Sequence, residues 1–172
     1  RDDSAPLVFR RNAKEIVNKT HIDALRINDF YDASYLSEIG EGIRRVVIPP
    51  HTNSYNRNSM MLSRCPNVED FIVGKNSDFT FENGVLYASA GNTRAIVYIT
   101  KDTRELHIDK DITQISNWHG VDRVTIDKDN STFVVNDNML LSRRMNSLYF
   151  VCGDAVEAVI PEGVTQIHSE AF

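Results

Sequence analysis

The stretch EAVIPEGVTQIHSEAF, residues 157–172, decides how this chain is organised, because ELHIDKDITQISNW, residues 105–118, is a near copy of it. The two copies belong to a longer repeat, in which residues 67–118 align with residues 120–172 nearly throughout. Such self-similarity is typical of proteins built from stacked units, each of which buries too little apolar surface to fold alone. The sequence therefore predicts a repeat protein.

A shorter pattern, apolar-x-x-apolar-x-apolar, recurs inside and before this repeat, and we call each copy a rung. The end of each rung alternates as a half-buried strand does, with two side chains directed inward and the one between them directed outward. Each rung is therefore predicted to contain a short strand. The rungs are residues 22–27, 43–48, 68–73, 103–108, 121–126 and 155–160.

Between rungs, each long repeat carries an insert that reads as a three-stranded β-meander. In the first insert, ENGVLY (82–87) matches NDNMLL (136–141) of the second, which places Gly84 opposite Asn138. Glycine and asparagine adopt positive φ most readily, and a tight hairpin turn requires positive φ. The sequence therefore predicts the same tight turn in both inserts.

Composition excludes several classes of function. The 172 residues are 41% hydrophobic and 25% charged with a net charge of −5, and the arginines are scattered instead of forming the basic stripe that binds nucleic acid. No long apolar run predicts a membrane-spanning segment and no signal-peptide pattern opens at Arg1, so we expect no membrane insertion by this chain. Cys65 and Cys152 lack the spacing of a zinc or redox motif.

No catalytic, cofactor or metal site is expected. The five histidines show none of the spacings of a metal site, and no serine stands in a Gly-x-Ser-x-Gly motif. Acidic pairs such as Asp109 with Asp111 and Asp127 with Asp129 read as solvated turns. Asn18 and Asn130 begin glycosylation sequons. A hydrolase remains an alternative, and it would need a cleft that gathers a histidine, an acid and a serine.

Residues 43–50, 61–73 and 155–172 resemble the BspA-type leucine-rich repeat, which pairs Ile-Pro with a later Val, Ile and Ala-Phe. The matching residues include Ile48-Pro49, Ile160-Pro161 and Ala171-Phe172, and Cys65 occupies the position of a packed cysteine in that family. ENGVLY is similar to a hairpin that such proteins commonly insert. Two positions depart from the pattern, since Asp109 replaces proline and Trp118 stands in place of the Ala-Phe run.

The resemblance implies a mainly β, right-handed leucine-rich-repeat solenoid with β-hairpin and meander inserts. Residues 43–172 would form the solenoid, truncated at its C-terminal end, and residues 1–42 would be an N-terminal cap or the remnant of a preceding segment. The family implies a secreted or cell-surface protein of anaerobic, host-associated bacteria or parasitic protists that acts in adhesion or protein binding. It implies no catalytic residues.

The outward residue of each rung would then lie on an exposed sheet, with a rim of both charge signs beside it. An apolar stripe bordered by mixed charge is typical of protein recognition. Two alternatives stay open: the N-terminal segment covers Val47 and Ile72, or Trp118 and the tyrosines of the inserts bind carbohydrate. The expected partner-binding residues are the outward row Arg26, Val47, Ile72, His107, Thr125 and Val159, with Arg45, Asp70 and Arg123 on the rim.

Overall fold

The fold is mainly β, as the sequence predicts. The computed structural model describes residues 7–8, 24–26, 40–48, 50–51, 62–116, 120–153, 155, 157–169 and 171–172. The first five strands in the described part are β1 (Leu7–Val8), β2 (Ala24–Arg26), β3 (Arg45–Ile48), β4 (Asp70–Val73) and β5 (Phe79–Glu82). The next five are β6 (Val85–Ala90), β7 (Thr93–Ile99), β8 (Glu105–Ile108), β9 (Ile112–Ile115) and β10 (Arg123–Ile126). The last four are β11 (Phe133–Asn136), β12 (Met139–Ser142), β13 (Ser147–Val151) and β14 (Gln166–Ile167).

Neighbouring rungs pair as parallel strands in register. One sheet has the order β1-β2-β3-β4, and Val46 of β3 lies opposite Phe71 of β4. A second sheet pairs β8 with β10, so that Leu106 lies opposite Val124. β2 also pairs with β3, so the first sheet contains strands from both sides of residue 43, the expected start of the solenoid.

The inward positions of the rungs form the core. β-branched and aromatic side chains suit these positions because a strand buried on one face packs them against the next rung. The predicted alternation is confirmed in rungs 43–48, 68–73, 103–108 and 121–126, where Val73 and Ile126 at the strand ends are partly buried. The inward residues that are at most 8% exposed are Ile43, Val46, Ile48, Val68, Phe71, Thr103, Leu106, Ile108, Val121 and Val124.

The sixth rung departs from the prediction. Its described residues 157–160 form no strand, although they repeat the pattern of β8. The physical reason is pairing, because a strand of four residues is held by a neighbour and no strand of the described residues lies beside this segment. The prediction of a strand in every rung is therefore wrong here.

Two three-stranded antiparallel meanders, β5-β6-β7 and β11-β12-β13, occupy the inserts as predicted. Each is extended by a parallel strand, β9 beside β7 and β14 beside β13. The first meander is buried on both faces. Leu86 and Ala88 of β6 pack with rungs 43–48 and 68–73, whereas Val85 and Tyr87 pack with rungs 103–108 and 121–126.

The meanders therefore separate the rungs into pairs. A solenoid of stacked rungs would place consecutive rungs side by side along one axis, but β4 and β8 belong to different sheets in the described structure. The apolar surface of the first meander is the cause, because both of its faces need partners and each meets one of the two rung pairs. The second meander repeats this arrangement, with Leu140 in the core of the preceding rungs and Leu141 in a third core.

The hairpin turns of the two meanders differ in backbone. Asn83 and Gly84 both have positive φ, 51° and 79°, as a two-residue hairpin turn prefers. In the second meander Asp137 has the positive φ of 53°, and Asn138 does not share it. The sequence match of Gly84 with Asn138 therefore predicts the position of the turn but not its backbone type.

Tyr98 joins the first meander to rung 68–73 through a buried hydroxyl. The hydroxyl donates to the Cys65 carbonyl oxygen at 2.6 Å and accepts from the Val68 N–H at 3.2 Å, while the ring meets Phe71 edge-on. Burial raises the pKa of this hydroxyl, so it stays protonated and can donate. The contact ties the insert to the core of the repeat.

We expect Tyr98→Phe to lower the free energy of unfolding by about 1–3 kcal/mol, because it leaves the Val68 N–H and the Cys65 carbonyl buried without this partner. The matched control is Tyr149→Phe, on a half-buried ring that packs against Phe133 and His168. Urea unfolding monitored by circular dichroism measures both. A loss in Tyr98→Phe that is no larger than about 0.5 kcal/mol would contradict the role given to the Tyr98 hydroxyl.

Candidate functional site

The outward row is the candidate functional site, and the structure brings its members together in two pairs. Val47 of β3 lies opposite Ile72 of β4, and His107 of β8 lies opposite Thr125 of β10. The backbone of Arg26 in β2 continues the first pair, while its side chain lies outside the described part. Ile72 is 50% exposed, which is unusual for a large apolar strand residue.

The row is not one continuous ladder. Its first part lies on the sheet β1-β2-β3-β4 and its second part on β8-β10, because the first meander separates the two sheets. Val159 is 77% exposed but lies outside any strand, so it belongs to neither part. The expectation of a single six-residue ladder is therefore replaced by two short faces.

The rim charges are paired across neighbouring rungs. Arg45 contacts Asp70 at 3.2 Å, and Arg123 contacts Glu105. The preceding position of each rung forms a further pair, Arg44 with Glu69 at 3.6 Å and Arg104 with Asp122 at 3.6 Å. Lys101 also contacts Glu69, at 3.2 Å. All are exposed, and such pairs contribute roughly 0–1 kcal/mol each.

This pairing was missed from the sequence, where the same residues read as an open rim of mixed charge. Aligning the rungs in register places Arg44 and Arg45 opposite Glu69 and Asp70, so the signal was present. The pairing leaves the rim with cross-strand ion pairs beside the apolar Val47 and Ile72. A partner would meet oriented pairs of charges instead of isolated ones.

His107 stands at the centre of a polar group on β8 and β10. Its Nδ1 lies 2.9 Å from Thr125 Oγ1, and its Nε2 lies 3.7 Å from Asp109 Oδ1. Arg94 Nη1 donates to Asp109 Oδ2 at 3.3 Å, and the Arg94 guanidinium sits 4.2 Å above the ring of Tyr87. The group links the second face of the row to the end of the first meander.

A hydroxyl, an imidazole and a carboxylate in this order are the parts of an acyl-transfer site. The site is open to solvent, because more than half of the His107 side chain and nearly half of that of Asp109 are exposed. Acyl transfer depends on preorganised donors in a water-excluded cleft, and Asp109 stands beyond hydrogen-bond distance of the imidazole. The arrangement therefore suits hydrogen bonding to a partner better than nucleophilic attack.

The tyrosines of the meanders pack instead of forming a sugar-binding platform. Tyr98 is fully buried and Tyr87 is 9% exposed, and burial raises the pKa of Tyr87. Tyr149 is stacked on His168 with ring centroids 4.2 Å apart and meets Phe133 edge-on. Trp118, the other candidate for carbohydrate stacking, lies outside the described residues.

Neither cysteine is placed to act as a nucleophile. Cys65 and Cys152 are free thiols at 0% and 5% exposure. Burial raises the pKa of Cys65 from 9.0 to about 12 and also raises that of Cys152. Both thiols therefore stay protonated near neutral pH and serve as packing residues, a role that the resemblance implies for Cys65.

Stability is expected to fall as the pH rises above about 9, because the unfolded Cys65 thiol then ionises while the folded one keeps its proton up to about pH 12. Between about pH 8 and about pH 10.5 the Cys65 thiol alone should remove roughly 2 kcal/mol from the free energy of unfolding. Urea unfolding at the two pH values measures the change. In Cys65→Ala the fall should be smaller by that amount, and an unchanged fall would contradict the assignment.

The acidic residues and histidines that could have bound a metal ion do not form a metal site in the described part of the chain. Within the described ranges no group of three or more His, Cys, Asp or Glu side chains is placed to hold a metal ion. Asp127 Oδ1 accepts the Asp129 N–H at 2.9 Å, which makes this acidic pair a local turn. His21, His119 and the sequon at Asn18 lie outside the described residues.

Asn130 is buried at 1% exposure and uses its whole side chain in hydrogen bonds. Its Nδ2 donates to the carbonyl oxygens of Asp109 and Ile112, at 2.8 and 3.0 Å. Its Oδ1 accepts from the N–H groups of Thr132 and Phe133, both at 2.8 Å. A glycan on Nδ2 is incompatible with these bonds, so the sequon at Asn130 is a structural link between β9 and β11.

Comparisons with known proteins add no relative. A scan against protein-family models, a search of curated proteins and a search of solved structures each find no match to this chain. In the described part of the chain, no helix has the length and apolar character needed to cross a membrane. The geometry of the outward row and the residues around it are therefore the basis for a functional proposal.

Proposed function

We propose that this protein is a non-catalytic binding or adhesion module that recognises a protein partner through the outward row of its paired rungs. The observation that carries the proposal is Ile72, half-exposed beside Val47 and bordered by the ion pair of Arg45 with Asp70. When a partner covers these apolar side chains, the neighbouring charges keep their own ion-pair partners, so no uncompensated charge becomes buried.

We further propose that the rungs belong to a right-handed solenoid of BspA-type leucine-rich repeats, carried by a secreted or cell-surface protein. The resemblance in sequence, the parallel register of β3 with β4 and of β8 with β10, and the burial of the inward positions support this. The meanders would be inserts between pairs of stacked units. The exposed face of parallel strands is a common binding surface in repeat proteins of this architecture.

The second face, with His107 and Thr125, supports a polar contribution to binding. Their hydrogen bond at 2.9 Å holds both side chains upright on the surface, where Arg123 with Glu105 flanks them. A row that is apolar on one sheet and polar on the other suits a protein surface of mixed character better than a nucleic acid or a membrane. With the described tyrosines Tyr87, Tyr98 and Tyr149 engaged in packing, the carbohydrate alternative rests on Trp118, and loss of glycan-array binding in Trp118→Ala would support it.

Site-specific photo-cross-linking tests the proposed surface. A photoreactive phenylalanine analogue replaces Ile72 in one variant and Arg143, on the exposed turn after β12, in a control variant. Each variant is presented to surface-protein extracts of candidate host and bacterial cells. We expect discrete protein adducts from position 72 and none from position 143.

A second variant tests whether the adducts report specific docking. Val47→Arg places a charge in the apolar face and should weaken capture at position 72 by about tenfold or more, which corresponds to about 1.4 kcal/mol of binding free energy. The variant should melt at the temperature of the parent. Equal adducts from positions 72 and 143, or capture indifferent to Val47→Arg, would refute the proposed binding surface.

A further inference from the structure

Residues 157–160 repeat the sequence of β8 but not its structure. Glu157, Ala158, Val159 and Ile160 correspond to Glu105, Leu106, His107 and Ile108, and the correspondence continues without a gap up to the match of Ile167 with Ile115. β8 is a strand, whereas residues 157–160 form none. Two segments of equal spacing and similar pattern therefore differ in conformation.

The strand pairing that follows β8 and residues 157–160 along the chain does not explain why only β8 is a strand. After β8, Gln114 and Ile115 of β9 pair in parallel with Ala95 and Ile96 of the first meander. In the later copy, Gln166 and Ile167 of β14 pair in the same way with Ser147 and Leu148 of the second meander. The fold that follows each segment is thus the same in both copies.

The difference lies on the opposite side, where β8 has a partner. β10 pairs with β8 along its whole length, and Ile108 is 0% exposed. Ile160, in the corresponding position, is 38% exposed. It is the inward apolar side chain that a neighbour equivalent to β10 would cover.

Charge specifies further which strand would fit beside residues 157–160. Glu105 forms an ion pair with Arg123 of β10. Glu157 occupies the equivalent position, is exposed, and takes part in no ion pair among the described residues. A strand that docks here in the register of β10 would place its first residue, which is Arg123 in β10, opposite Glu157.

We propose that residues 157–160 are an acceptor edge for a parallel β-strand with the residue pattern of residues 121–126. The incoming strand carries inward apolar residues at the positions of Val124 and Ile126 and a basic residue at that of Arg123. Its backbone supplies the parallel hydrogen bonds that turn residues 157–160 into a strand, and its inward side chains cover Ile160. The edge lies apart from the two faces that the outward row forms on β3 with β4 and on β8 with β10, and it does not depend on the binding role proposed for them.

A tethered strand tests the edge. A copy of residues 121–153 is appended directly after Phe172 of the full chain, which reproduces the spacing between residues 103 and 121. Tethering makes docking intramolecular, so no affinity has to be assumed. Hydrogen exchange followed by mass spectrometry reads the amides of residues 158–160.

We expect these amides to exchange at least about tenfold more slowly in the extended chain than in the parent. A control extension carries aspartate at its copy of Val124 and should leave the exchange rate at the parent value. Ile160→Asp should abolish the added protection in the extended chain while leaving the melting temperature of the parent nearly unchanged. Loss of protection in this variant assigns the effect to the edge itself.

Exchange at residues 158–160 that is equally fast with and without the extension would overturn the proposal, whether or not the appended segment folds. Protection that survives both the aspartate in the extension and Ile160→Asp would overturn it as well, because the contact would then lie elsewhere. Cross-linking from position 72 is read separately, so failure of the acceptor edge leaves the outward row as a binding surface intact, and the reverse also holds.

Discussion

Replacing Ile108 by aspartate is expected to unfold the protein at about 25 °C. Ile108 is 0% exposed and packs in the core that joins rungs 103–108 and 121–126 to both meanders. The variant loses roughly 1.5–3 kcal/mol of apolar burial. It must also bury a carboxyl group without a hydrogen-bonding partner, at a cost of roughly 2–7 kcal/mol. The sum is comparable to the whole stability of a typical domain, about 5–15 kcal/mol.

Thr125→Asp is the matched control, because it introduces the same side chain one residue from the core on the paired strand. Thr125 is exposed and its hydroxyl bonds to His107, to which a carboxylate can also bond. We expect a change within about 0.5 kcal/mol. Near-ultraviolet circular dichroism and thermal melts measure both variants. A more stable Ile108→Asp than Thr125→Asp would reverse the inward and outward assignment.

Gly84→Ala is expected to cost about 3 kcal/mol or more, because it combines backbone strain with a collision. Gly84 has φ +79°, and a Cβ there would lie 2.2 Å from Thr103 Oγ1 and 2.7 Å from Thr100 Oγ1. The two threonines are buried and hydrogen bonded to each other at 3.0 Å, so neither side chain moves away freely. To relieve the collision, the turn of the first meander would have to move away from Thr103, which begins rung 103–108.

Gly91→Ala separates the two causes. Gly91 also has positive φ, +61°, but a Cβ there meets no atom within 4 Å. Met145 takes φ 56° at the matching turn of the second meander, which shows that a side chain is accepted there. We expect a loss of only about 1 kcal/mol, from backbone strain alone. Urea unfolding of both variants measures the difference, and equal losses would exclude the collision as a cause.

Local patterns account for the features that were predictable. The alternation of apolar residues predicted which face of β3, β4, β8 and β10 is buried, because side chains of a strand point to opposite faces whatever its neighbours are. The Asn83-Gly84 pair predicted a hairpin turn for the same kind of reason, since the demand for positive φ is local. The outward residues Ile72, His107 and Thr125 were identified by this alternation alone.

Pairing between distant segments was harder to predict. The cross-strand ion pairs of Arg45 with Asp70 and of Arg123 with Glu105 depend on the register between rungs, which a single strand does not specify. The buried amide of Asn130 read as a glycosylation sequon, because its four partners are backbone groups that no side-chain pattern reveals. These side chains acquire their roles only when two elements meet.

The repeated units, the positions of the turns and the buried side of each strand follow from the sequence, because they depend on periodicity and on the conformational limits of single residues. The separation of the rungs into pairs by the meanders, and the absence of a strand at residues 157–160, appear only in the folded structure. The physical reason is that both outcomes depend on competition for apolar surface and for hydrogen-bonding edges between segments far apart in the chain, and such competition is resolved only when the segments pack together.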